Sequence, residues 1–233
     1  MKKIALFVEG QTEQIFTEKL IREFIGKHKF HIAKGKFSGG KKGPRKLLCM
    51  PARHIEKDTE YYFMIYNCEG DSRIKSDISN RLDTLREESF SLVIGIRDVY
   101  PETDIEKINH YLYRGISPMP NVSVKIVLAV MEIESWFLAE ETHYSNISKR
   151  ISLDIVNKIA GIDVSKDTTE SIEHPSDILN RIYTEYGETY YNKSKDNVQQ
   201  VVKALDYKNL CLNVRNRNKS LNELLTCLDG LIP

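Results

Sequence analysis

The sequence predicts an α/β protein: a mainly parallel sheet flanked by helices, followed by a helical C-terminal portion. Three observations predict it. Short apolar runs of strand length recur through the first part of the chain, and each stops at a polar break carrying Gly, Asn or an acid. Between those runs lie segments with apolar residues at helical spacing, an alternation that builds parallel, helix-covered sheets. Beyond about Ser135 the strand signal disappears and only helix signals remain. The expected organisation is an α/β domain over 1–134 and a mostly helical portion over 135–233 packed on it.

The elements follow in order. Ile4–Val8 is a continuous apolar run ending at Glu9-Gly10, as a strand buried on both faces requires. A helix opens near Thr12, a candidate N-cap, with Ile15, Phe16, Leu20, Ile21, Phe24 and Ile25 on one stripe. A second strand over Phe30–Phe37 ends in Ser38-Gly39-Gly40-Lys41-Lys42-Gly43-Pro44, a turn that neither helix nor strand can traverse. Arg45–Glu56 reads as a short helix. Tyr61–Tyr66 is a third strand breaking at Asn67-Cys68-Glu69-Gly70-Asp71, and Ile74–Glu87 is a helix. Ser91–Ile96 is a fourth strand ending at Arg97-Asp98, Asp104–Tyr113 is helical, and Val122–Met131 is a fifth strand ending at Glu132-Ile133-Glu134. Further helices are expected over 135–140, 154–160, 176–186, 195–205 and 221–228.

Composition bounds the function classes. With 233 residues, 41% hydrophobic and 29% charged, the chain has the profile of a folded cytoplasmic protein rather than a disordered one. It has no apolar run long enough to span a membrane, and the N-terminal apolar run is broken at Glu9 without a signal-peptide cleavage pattern. Cys49, Cys68, Cys211 and Cys227 form no C-x-x-C pair and read as reduced thiols. Net charge is +1, but residues 1–60 carry 14 Lys/Arg against 7 Asp/Glu. Within them, Lys27 to Lys57 holds ten Lys/Arg and one acid, Glu56. Such a stretch is either a solvated basic loop or a contact for phosphate and nucleic acid.

The chemistry-bearing residues fall at strand ends. Glu9 follows the first strand; Asn67, Glu69 and Asp71 the third; Asp98 the fourth; Glu132 and Glu134 the fifth. In a parallel sheet those ends share one edge, where ligands bind. Each acid alone could equally cap the following helix. Gathered carboxylates repel one another unless a proton or cation neutralises them, and their hard oxygens favour Mg²⁺, Mn²⁺ or Ca²⁺.

These residues also carry a family resemblance. Phe7-Val8-Glu9-Gly10-Gln11-Thr12-Glu13 resembles the first motif of Toprim domains, in which a Glu ends the first strand. Phe37-Ser38-Gly39-Gly40-Lys41 resembles the Gly-Gly turn after the second strand, and Asn67-Cys68-Glu69-Gly70-Asp71 falls where the D-x-D motif would stand. The resemblance covers about 1–134 and is to OLD-type and small stand-alone Toprim proteins of bacteria and phage defence. The run Glu-Ile-Glu-Ser-Trp-Phe-Leu-Ala at 132–139 is similar to the same small proteins. The resemblance implies metal-dependent phosphodiester chemistry on DNA or RNA, a nuclease-like activity with Mg²⁺ or Mn²⁺, and a possible ATPase partner. It makes Glu9 a metal ligand or general acid/base, Glu69 and Asp71 catalytic ligands, and Asp98 a further candidate for both roles. Asn67 stands where the first Asp of D-x-D would be, and Glu69 where the second would be. Asn67 offers a metal only a neutral oxygen. The alternative is therefore a degenerate, non-catalytic Toprim module that binds nucleic acid or a partner ATPase. Lys36, Lys41, Lys42 and Arg45 are the candidate nucleic-acid contacts around the Gly-Gly turn.

Other signals are set aside. Gly35–Lys41 matches part of a P-loop, but Lys42 replaces the required Ser/Thr and Gly43-Pro44 opposes a following helix. The six histidines are dispersed without catalytic spacing. Trp136 reads as a core residue. Tyr183, Tyr186, Tyr190 and Tyr191 beside Lys193 and Lys195 could stack bases, though packing accounts for them as well.

Overall fold

The computed structural model describes residues 1–39, 45–49, 55–100, 104–114, 116 and 120–231. They form two compact units: the first comprises Met1–Arg97 and Asp104–Leu128, the second Asp98–Thr103 and Ala129–Pro233. The architecture is α/β, with a six-stranded, mostly parallel sheet followed by C-terminal helices.

The sheet is built from β1 (Lys2–Val8), β2 (Phe30–Ser38), β3 (Lys46–Cys49), β4 (Tyr61–Asn67), β5 (Leu92–Asp98) and β6 (Ser123–Ala129), in the order β3-β2-β4-β1-β5-β6. β1 runs parallel to β4 and β5, β2 runs parallel to β4, and β3 is antiparallel to β2. Central β1 explains its own sequence: Ile4, Ala5, Leu6, Phe7 and Val8 are all fully buried, so no position along the run is left for a polar residue. The helices α1 (Gln11–Ile25), α2 (Ile74–Glu87) and α3 (Ile105–Tyr113) complete the first unit. Phe16, Leu20, Ile21 and Ile25 make the buried stripe of α1, while Ile74, Ile78, Leu82 and Leu85 make that of α2.

Three local expectations are corrected. The helix expected over Arg45–Glu56 is instead the edge strand β3 where it is described. Ser38 pairs with Lys46, Phe37 with Leu47 and Lys36 with Leu48, and exposure alternates along Lys46, Leu47 and Leu48. A run of four residues is too short for its periodicity to separate strand from helix. The N-cap of α1 is Gly10 rather than Thr12: the Gly10 N–H donates to Glu13 Oε2 at 2.8 Å, and Thr12 is buried inside the first turn. β6 also stops at Ala129, two residues before the expected end, and Met131 takes a left-handed conformation at φ 65°.

The second unit is helical: α4 (Glu134–Ala139), α5 (Tyr144–Ile147), α6 (Leu153–Ala160), α7 (Pro175–Tyr186), α8 (Lys195–Ala204), α9 (Tyr207–Leu212) and α10 (Lys219–Asp229). Every residue of α4 is buried, including Trp136, whose Nε1 donates to Ser220 Oγ on α10 at 2.8 Å. Glu140, fully buried, organises the chain after α4. Its carboxylate accepts from the N–H groups of Thr142, His143 and Asp206, from Thr142 Oγ1, and from Asn209 Nδ2 at 2.7 Å. Burial alone would raise this carboxyl, but the bonds from His143, Thr142 and Asn209 outweigh it and hold the group at about 2. His143 Nε2 in turn meets the buried Tyr183 hydroxyl at 2.6 Å. Among the described residues, no helix is long and apolar enough to cross a membrane.

Candidate functional site

The strand ends of the first unit converge as a parallel sheet requires. Val8 pairs with Asn67 on one side and Ile96 on the other, and Asn67 pairs with Lys36. The β1–β4 pairing continues past the last ladder residues. Cys68 N–H donates to Val8 O at 2.8 Å and Gly70 N–H to Glu9 O at 2.9 Å, which sets the 67–71 turn directly against Glu9. Two left-handed residues make this reversal: Glu69 at φ 55° and Gly70 at φ 141°, the latter a conformation that L side chains rarely adopt.

Each expected acid has a distinct setting. Glu9 is half-buried at the crest of β1. Gly10 beside it lets α1 start close by, since a Cβ there would lie 3.2 Å from Glu13 Oε2. Asn67 is buried, and its Oδ1 accepts the Glu69 N–H at 2.9 Å. That is an Asx-turn, so the side-chain oxygen shapes the turn. Glu69 is partly exposed and pairs with Lys36, Oε1 to Nζ 2.8 Å. Asp71 opens a single 3-10 turn over Asp71–Arg73; its side chain lies outside the described residues.

The cations divide by role. Arg45 is largely buried, with its guanidinium over the Phe37 ring and NH2 bonded to Cys68 O at 2.6 Å and to Asp77 Oδ2 at 2.8 Å. Burial pushes the Asp77 carboxyl up while Arg45 pulls it down, and burial, with Asp77 adding to it, pushes the Cys68 thiol well up. Arg45 therefore braces the turn from behind. Lys36 is half-exposed. Lys41 and Lys42 lie outside the described residues. Sequence reasoning did not single out Arg73, whose NH1 donates to Gly39 O at 2.9 Å, because it stands alone between a turn and a helix.

Among the described residues, no group of three His, Cys, Asp or Glu gathers to hold an ion. Mg²⁺, however, is held by one or two carboxylates, with water and substrate phosphate completing its shell. Glu9 and Glu69 supply two hard carboxylates from adjoining backbone, and on that count they fit Mg²⁺ or Mn²⁺.

The remaining strand-end acids belong to the second unit. There Asp98 Oδ1 accepts the Ile133 N–H at 3.1 Å. Lys193 Nζ lies 2.7 Å from Glu132 Oε1 and 3.4 Å from Glu134 Oε2. Glu134 is fully buried and accepts from the Tyr191 hydroxyl at 2.7 Å, while Glu132 also accepts the Ser176 N–H. Burial would raise the Glu132 carboxyl, yet Lys193 holds it below the usual range. Burial would lower the Lys193 ammonium, yet Glu134 and Glu132, with Asp98 adding its field, hold it well above. Tyr183 and Tyr191 are core residues of this unit, so packing accounts for them, while Tyr190 is exposed. Lys193 sits in an irregular loop at φ 57°, where no periodicity could have marked it as the partner of Glu132.

No family model and no curated protein matches the chain. Two solved structures resemble it. One is a hypothetical protein from Pyrococcus horikoshii OT3, 16% identical, with a TM-score of 0.51 over 100% of both chains. The other, named as a candidate cell surface hydrolase, is from Lactobacillus plantarum WCFS1; it is 12% identical, with a TM-score of 0.33 over 94% of this chain and 97% of that one. The first likeness is one of fold, and the second is too low to carry an argument.

Proposed function

We propose that the first unit carries out Toprim-like, metal-dependent phosphodiester chemistry on nucleic acid at the carboxyl edge of its sheet. The observation that carries this reading is the pair of backbone bonds, Cys68 to Val8 and Gly70 to Glu9, which brings Glu9 and the Glu69 turn together beside Lys36. Glu9 and Glu69 would hold Mg²⁺ or Mn²⁺, and the ion when bound would activate water or stabilise the displaced oxygen. Glu9, directly after the buried central strand, would present its carboxylate from a fixed backbone; Lys36 offsets the charge of Glu69 and would turn to a phosphate oxygen when substrate arrives. In the test, purified protein with Mn²⁺ or Mg²⁺ cuts single- or double-stranded DNA or RNA, and Glu9→Gln lowers the rate at least about a hundredfold. Cutting that needs no metal and ignores Glu9→Gln would remove this assignment.

A second reading has its own support. Asn67 spends its oxygen on the Glu69 N–H and Glu69 is tied to Lys36, an arrangement suited to a non-catalytic module that binds nucleic acid or a partner ATPase. Under it, nucleic-acid or partner binding survives Glu9→Gln and no condition yields cleavage.

A further inference from the structure

Among the described residues, Arg45, Lys36 and Arg73 are the cations held around the turn that follows β4, and the structure separates them by what each already holds. Arg45 is committed: one nitrogen bridges the Cys68 carbonyl and the Asp77 carboxylate, and the guanidinium covers Phe37. Lys36 faces Glu69. Arg73 differs from both. Its hydrogen bond goes to a neutral acceptor, the Gly39 carbonyl at 2.9 Å, while the Asp77 carboxylate, already bonded to Arg45, feels its charge more weakly than that of Arg45. Its side chain runs back over the turn: a Cβ built on Gly70 would lie 3.9 Å from both its Cδ and its Nε. Gly70 is the residue whose N–H holds Glu9 O. The side chain thus runs between the turn that follows β4 and the glycine that follows β2.

We propose that Arg73 is the phosphate-gripping residue of this edge, holding one internucleotide phosphate of a nucleic-acid strand beside Glu9 and Glu69. The inference rests on the phosphodiester reading given above. A guanidinium presents several N–H donors in a planar fork matched to two phosphate oxygens, and anchoring one of them on Gly39 O leaves that fork oriented before substrate arrives. The partly exposed setting of Arg73 suits this task, whereas largely buried Arg45 serves the fold.

The test is fluorescence anisotropy with short labelled single-stranded DNA and RNA, in EDTA and across a salt series, on wild type, Arg73→Gln and Arg73→Lys. Circular dichroism confirms that each is folded. Arg73→Gln is expected to weaken binding about tenfold at low salt and to flatten the log K against log salt slope by about 0.7 to 0.9, one phosphate contact. A purely structural role would leave that slope unchanged. Arg73→Lys is expected to keep the slope and lose part of the affinity, because a point charge replaces a fork. Should Arg73→Gln not fold, Arg73→Lys decides: reduced affinity at unchanged slope supports the proposal, and wild-type affinity overturns it. Wild type that binds while Arg73→Gln matches it in affinity and slope overturns this proposal alone. Wild type that binds neither DNA nor RNA overturns it together with the phosphodiester reading.

Discussion

At the scale of residues, the first unit contains ion pairs of two kinds with different consequences. Lys36 and Glu69 are about half exposed, and such a pair contributes at most about 1 kcal/mol, so it can open without loss of the fold. Arg45 is largely buried and Asp77 buried, with side-chain exposures of 17% and 3%. Removing one partner leaves the other charge in a poorly solvated place. Asp77→Ala is expected to destabilise the protein by about 3 kcal/mol in urea unfolding, whereas Arg45→Met combined with Asp77→Leu recovers most of that loss. A single variant no worse than the double would show that the pair does not brace the turn.

At the scale of elements, Gly95 in β5 is packed so closely that it leaves no room for a side chain. A Cβ there would come within 2.8 Å of Ile126 Cδ1 on β6 and within 3.0 and 3.1 Å of Ile74 and Ile78 on α2. These are branched side chains inside a filled core, with little room to retreat. Gly95→Ala is expected to lower stability by about 2 kcal/mol, read as a shift of the urea midpoint at constant slope. The elements also show what a sequence can and cannot disclose. β1, β4 and β5 were legible because central strands of a parallel sheet are buried on both faces, which leaves an apolar run no helix would need. β3 was not, since its four residues acquire strand geometry only by pairing with β2. α5 and α9 were passed over for a related reason: four and six residues do not complete an amphipathic repeat, and their place is set by neighbours such as Glu140, whose oxygens hold the Asp206 and Asn209 groups at the start of α9.

At the scale of the whole molecule, the two units are to be distinguished by their response to acid. In the second unit Glu140 is held at about 2 against an ordinary value of 4.5. A carboxyl depressed in the folded state contributes stability that is full above its unfolded value and is lost as pH falls toward the folded one. The second unit should therefore lose on the order of 3 kcal/mol as pH drops from about 4.5 to about 2, and Glu140→Gln should flatten that dependence. Trp136, the single tryptophan, is buried in this unit, so its fluorescence reports the transition. A pH profile unchanged by Glu140→Gln would refute the assignment. Glu9 and the 67–71 turn could be read from strand ends, whereas the contacts of Arg73 and Lys193 depend on loops whose course no local pattern records.

The division of the chain has a further consequence. Residues 98–103 group with the second unit, while 104–128, made immediately afterwards, return to the first. During vectorial synthesis Val99 and Tyr100 therefore emerge before Ala129 and Met131, the residues whose carbonyls will take their N–H groups. The first unit, for its part, cannot close until β6 has been made. Each unit is thus left incomplete while part of the other is being translated, so neither corresponds to a contiguous stretch that can be excised by a single cut.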